Sequence, residues 1–169
     1  MKTLITLSLL VCFTVSGYGK ANFLKRSELI NKAEAIAIID LGELVNPGKD
    51  KDDLFSASGE GVRGKLWSYT QKSKAKVVKL LAGKLPKEFF LYGGETFICA
   101  QCRLKKGRYL AFLRKDEEYW VGANWHLSLR PIKDNQVEWY VSEEQRFPMK
   151  YQDMQVVMKQ IAKTRAEKK

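Results

Sequence analysis

At 169 residues, with 30 Lys plus Arg against 19 Asp plus Glu, the chain has the size of one domain and a formal net charge of +11. Its 45% apolar and 11% aromatic residues can build a real core, which excludes a disordered polycation. Such a charge calls for anionic surroundings or an anionic partner, and the compartment decides which.

Met1-Lys2-Thr3 precedes an apolar run from Leu4 to Val15, followed by small residues at Gly17, Gly19 and Ala21. The run is too short for a membrane-spanning helix and reads as a signal peptide over residues 1–19, cleaved between 17 and 21. Cleavage after Gly19 removes one lysine and Cys12, so the net charge falls from +11 to +10 and the cysteines from three to two. The expectation is a single domain over residues 20–169, exported to the periplasm or beyond, with no transmembrane segment after cleavage. Cys99 and Cys102 then form an even pair in an oxidising compartment.

In the mature chain, residues 24–34 mix helix formers with Leu29, Ile30 and Ala33, which predicts a short N-terminal helix. Ala35 to Val45 is rich in β-branched residues and ends at Asn46-Pro47-Gly48, so a buried strand is expected. Lys49 to Gly64 is charged and small-residue-rich, as loops are. Leu66 to Leu81 alternates, with Lys72, Lys74 and Lys76 on one solvent face of a long strand or hairpin. Short strands are predicted at 88–92, 96–99, 108–114, 119–123 and 136–141, spaced as in an antiparallel sandwich or small barrel. Pro148 supplies a helix start, and Met154, Val157, Met158 and Ile161 share one face, so an amphipathic helix is predicted over 149–166.

Little of the candidate chemistry survives its context. Gly59-Glu60-Gly61-Val62-Arg63-Gly64-Lys65-Leu66 has phosphate-loop glycine spacing, but it follows an acidic loop, opens a strand and has Leu66 where a hydroxyl would reach Mg²⁺. Asp50 to Asp53 lacks the glycine and terminal Glu of a calcium loop. Cys99-Ala100-Gln101-Cys102 permits a disulfide, a redox couple or half a zinc site. Only His126 could join the two thiols as a further soft ligand, and the motif leads into a strand rather than the helix that lowers a nucleophile's pKa. A disulfide that shapes a turn is the preferred reading. No Gly-x-Ser-x-Gly elbow accompanies His126, which reads as a packed or surface residue, so an enzyme is not expected and no cofactor or metal is called for.

Lys72, Lys74 and Lys76, with Arg103, Lys105, Lys106 and Arg108, make a candidate anion-binding face. Export argues against nucleic acid and leaves an acidic protein or an anionic envelope component as partner.

The run Ala75-Lys76-Val77-Val78-Lys79-Leu80-Leu81-Ala82-Gly83, then a strand, a cysteine and Lys106-Gly107-Arg108-Tyr109-Leu110-Ala111-Phe112-Leu113, resembles bacterial secreted proteins of the tissue-inhibitor-of-metalloproteinases and netrin-module group over about residues 35–125. The resemblance implies a mainly β fold, a five-stranded oligonucleotide-binding-type (OB-like) barrel with flanking helices. That group inhibits proteases through an N-terminal cysteine, and no expected mature N-terminus here begins with one. Two functions are therefore carried forward: an exported, non-catalytic binding domain with a basic surface, and a periplasmic thiol-disulfide or metal-handling protein acting through Cys99 and Cys102.

Overall fold

The computed structural model of the chain describes residues 23–45, 71–94, 102–143 and 149–167. The expected signal-peptide segment, the Gly59–Leu66 motif, the acidic run, the expected strand at 96–99 and Cys99 lie outside these residues. In chain order the elements are α1 (Arg26–Lys32), β1 (Ala35–Val45), β2 (Gln71–Ala82), β3 (Glu88–Gly93), β4 (Gly107–Asp116) and β5 (Tyr119–Gly122). A 3-10 turn (Trp125–Ser128), β6 (Leu129–Lys133), β7 (Gln136–Tyr140), β8 (Met149–Asp153) and α2 (Met154–Glu167) complete them.

Strands β1-β2-β3-β5-β4 form a closed barrel, because β4 also pairs with β1 from Ala35↔Leu113 to Leu41↔Gly107. The fold is thus the mainly β barrel with flanking helices that was expected. Its one departure from an antiparallel barrel is the parallel pair β3–β5. A ring with an odd number of strands cannot alternate direction all the way round, so one parallel pair is unavoidable. β1 reaches both neighbours by bending at three register shifts against β2.

Ala37, Ile39 and Leu41 of β1, Ala75 of β2, Phe89 and Leu91 of β3 and Ala111 and Leu113 of β4 fill the barrel interior. On the outer side Ile36, Leu110 and Phe112 meet a second apolar layer built from Leu29 and Ile30 of α1, Trp139 and Tyr140 of β7, and Met154, Val157 and Ile161 of α2. Strands β1 and β4 are therefore buried on both faces, which is why they read as nearly continuous apolar runs, whereas β2 alternates.

β4 divides its second edge: Leu113–Asp116 pairs with β5 and Tyr109–Ala111 with β6. From β6 the sheet continues outward through β7 and β8. Between β6 and β7, Asp134 and Asn135 both have positive φ (50° and 58°), which suits a tight hairpin whose twist matches its strands.

Two boundaries differ from the sequence reading. β6 was not foreseen, because Pro131 speaks against a strand; it is tolerated since it lies one residue before the β7 pairing begins at Ile132. The C-terminal helix starts at Met154 rather than 149, because residues 149–153 pair along all of β7. Asp153 then caps the helix, its carboxylate accepting the Gln155 amide at 2.7 Å, and this side-chain cap outweighs the helix-starting preference of Pro148. The foreseen face is correct: Met154, Val157 and Ile161 are buried, and Met158 packs against the same cluster.

The helices are tied down at their ends. Glu143 accepts the Ser27 amide at 2.8 Å and Arg26 Nε at 3.0 Å, anchoring the start of α1. At its other end the Arg165 guanidinium of α2 donates to the Ala33 carbonyl. Trp139 Nε1 donates to Gln160 Oε1 at 2.7 Å while its ring stacks on Phe112, so β7 couples α2 to the barrel wall.

Candidate functional site

The expected basic face comes together in space, but interleaved with acid. Arg108 of β4 faces Asp40 of β1, Asp40 faces Lys76 of β2, and Lys76 faces Glu88 of β3. Arg108 donates to Asp40 at two points, 2.7 and 2.9 Å, and Lys74 Nζ stands 2.6 Å from Glu88. The result is a ladder of alternating sign across four strands, Arg108–Asp40–Lys76–Glu88–Lys74. The electrostatics agree: the Arg108 hydrogen bond holds Asp40 below its ordinary pKa, and the Lys74 hydrogen bond does the same for Glu88. Lys106 is likewise engaged, 2.7 Å from Glu43, which raises its pKa.

Lys72 departs furthest from the solvent face expected of it. It is 7% exposed, with its ammonium 4.5 Å from the Phe90 ring centroid and 5.6 Å from that of Tyr92. Arg103 and Lys105 are exposed on the segment before β4. Of the seven candidate cations, then, Lys74, Lys106 and Arg108 are ion-paired and Lys72 lies against aromatic rings. Sequence could not show this, because each acidic partner comes from another strand.

Cys102 sits at the barrel end formed by Gln71, Gly93 and Gly122. It carries a free thiol and is 4% exposed. A Cβ on Gly93 would collide with the Cys102 carbonyl, and one on Gly122 would meet the Ser128 side chain at 2.8 Å and the Cys102 Cβ at 3.1 Å, so Gly93 makes room for this segment and Gly122 for both Ser128 and Cys102. The Leu104 amide donates to buried Gln71 Oε1 at 2.8 Å, fixing residues 102–104 across the end of the barrel. Burial pushes the thiol up to about 12, against the smaller opposing effects of the Arg130 charge and a backbone hydrogen bond at Leu129. The expected Cys99–Cys102 bond involves a residue outside the described set. His126 belongs to the 3-10 turn, and its side chain lies outside that set as well.

The opposite end of the barrel is concave. A cleft of about 560 Å³ is lined by Glu34, Gly83, Lys84, Leu85, Pro86, Lys115 and Trp120. Lys115 and Trp120 face each other across the β4–β5 hairpin. Lys115 stands two residues beyond interior Leu113, and Trp120 packs against the interior cluster, so both extend the barrel's inner face to its mouth. Phe89 meets the Trp120 ring edge-on at 6.1 Å, and the Lys115 ammonium lies 5.6 Å from its centroid. Glu34 is held by its amide on the Leu113 carbonyl at 2.8 Å, and its Oε1 accepts the Lys115 amide at 3.2 Å. Gly83, at φ +77°, forms the turn pressed against Glu34; any Cβ there would collide with the Glu34 carbonyl.

Lys84 and Lys115 are exposed, and neither has a carboxylate partner among the described residues. Sequence reasoning missed this site. The Asp116–Glu118 turn could have placed Lys115 opposite Trp120, but Glu34 and Lys84 arrive from other parts of the chain.

Among the described residues no cluster of three or more His, Cys, Asp or Glu could hold a metal ion, and no helix is long and apolar enough to cross a membrane. The chain matches no known family, no curated protein and no solved structure.

Proposed function

We propose that the chain is an exported, non-catalytic binding domain whose partner is an anionic protein or envelope component, engaged at the open end of the barrel. One observation carries this reading: Lys84 and Lys115, without carboxylate partners among the described residues, line the same concave site as Trp120, while Lys74 and Lys76 of β2 are tied into the ladder. A tryptophan beside two lysine side chains offers stacking area together with positive charge.

The electrostatics of the described carboxylates are in keeping with a binding role. The described carboxylates that depart from ordinary values, Asp40, Glu88 and Glu143, all move downward, so they stay charged at neutral pH rather than being poised to exchange protons. Thiol chemistry needs thiolate, and burial, by pushing the Cys102 thiol up to about 12, leaves almost none at neutral pH. This favours binding over the thiol-disulfide alternative.

The test is a salt titration of binding to poly-glutamate and to vesicles with and without anionic lipid. Affinity that falls steeply with salt supports the reading, and affinity indifferent to salt contradicts it. Export is tested by N-terminal sequencing of protein from an envelope fraction, where the first residue should fall between 18 and 22, at Lys20 for cleavage after Gly19.

A further inference from the structure

The binding reading leaves open what the mouth recognises, and the inference here rests on that reading. We propose that the cleft at Glu34, Lys84, Leu85, Pro86, Lys115 and Trp120 binds a single sugar ring bearing one carboxylate, a hexuronate or a sugar acid of like chemistry.

Three features narrow the ligand. Trp120 is half-buried, braced by Phe89 and continuous with the barrel core, so its indole is a fixed apolar platform rather than a mobile side chain. A flat apolar surface suits the C–H face of a pyranose, whose hydroxyls point sideways to the rim. Lys84 and Lys115 then supply charge for a carboxylate, and Lys115 is already held over the indole, within reach of whatever stacks there.

Glu34 excludes the simpler anions. It projects into the same cleft and uses Oε1 on the Lys115 amide, leaving carboxylate acceptor capacity at the rim. A small dicarboxylate or phosphate would hold both of its negative charges inside the cleft near it, whereas a polymer can present one carboxylate at a time. An aromatic monocarboxylate would stack but has no hydroxyl to give Glu34. One negative charge and several hydroxyl donors on a ring satisfy the two ammonium groups, the carboxylate and the indole together.

The experiment is an NMR titration of the ¹⁵N-labelled full chain with glucuronate, glucose and acetate, following the Trp120 indole N–H, assigned with Trp120→Phe. Glucuronate should shift that resonance saturably, with an affinity on the order of millimolar and at least about tenfold tighter than glucose or acetate. The exposed double substitution Lys84→Gln/Lys115→Gln should weaken it by about tenfold while leaving the rest of the spectrum in place. No saturable shift, or equal affinities for the three compounds, overturns the assignment. If poly-glutamate still binds with salt sensitivity in that event, the binding-domain reading stands without the sugar acid; if neither binds, both fall.

Discussion

Arg108 and Asp40 join β4 to β1 at the seam that closes the barrel, Nε to Oδ1 at 2.7 Å and Nη2 to Oδ2 at 2.9 Å. The pair is more than half open to solvent on the arginine side, so its worth lies in its place in the ladder rather than in burial. Replacing Asp40 by Asn leaves Arg108 and Lys76 as neighbouring like charges. The melting temperature of Asp40→Asn should fall in low salt and recover toward wild type in high salt. A loss independent of salt would show that Asp40 acts through packing instead.

Glu143 predicts the acid limit of the helical layer. Burial alone would raise its pKa, but the Ser27 hydrogen bonds and the Arg26 charge together outweigh burial and bring it below 4.5. A folded-state pKa below the unfolded one means that the stabilisation is complete above pH 4.5 and is lost as pH falls through the folded value. Glu143→Ala should cost about 1 kcal/mol at neutral pH, as other lost helix caps do. The gap from wild type should close on acidification, and a constant gap from pH 7 to 3 would refute the assignment.

Trp139 holds the two layers together. Its ring stacks on Phe112 at 5.7 Å and its indole bonds Gln160. Trp139→Ala should cost about 3–5 kcal/mol in denaturant unfolding. Trp139→Phe, which keeps most of the ring but loses the hydrogen bond, should cost less. Equal losses would place the energy in the hydrogen bond.

Gly83 is the backbone constraint behind the mouth. Alanine there would have to adopt φ +77° and press a methyl into the Glu34 carbonyl. The left-handed conformation alone costs about 1–3 kcal/mol, and the collision adds to it. Gly83→Ala should therefore destabilise the fold and shift the Trp120 indole resonance, while Gly42→Ala, at 3.3 Å from the nearest atom, should be milder.

Cys102 should resist alkylation. In reduced Cys99→Ser protein at pH 8, iodoacetamide should modify Cys102 only at the rate of unfolding, and promptly once denaturant is added. Rapid labelling of the folded protein would restore the thiol-based alternative.

The barrel was legible in the sequence because its strands carry their burial in their patterns. Ala35 to Ile39 and Leu110 to Leu113 are apolar on both faces, and Met154, Val157 and Ile161 share one helical face. Local signals failed where tertiary pairing prevailed: Pro131 hid β6, and Pro148 suggested a helix where β7 recruits a strand. The candidate site was less legible. Lys72, Lys74 and Lys76 are visible as a repeat along one strand, but their neighbours Phe90, Glu88 and Asp40 are set by register, which the repeat does not encode. Glu34, Lys84 and Trp120 are far apart in the chain and converge only because β1 begins, β2 ends and β5 begins at the same end of the barrel.

The most direct measurement compares two neutralised variants of equal net charge, Lys84→Gln/Lys115→Gln at the mouth and Lys74→Gln/Lys76→Gln in the ladder, for salt-dependent binding to poly-glutamate. A partner engaged at the open end requires the mouth variant to lose at least about tenfold in affinity and the ladder variant about twofold or less. The reverse order, or equal losses, would contradict binding at the mouth and return the anion-binding role to the lysine strand.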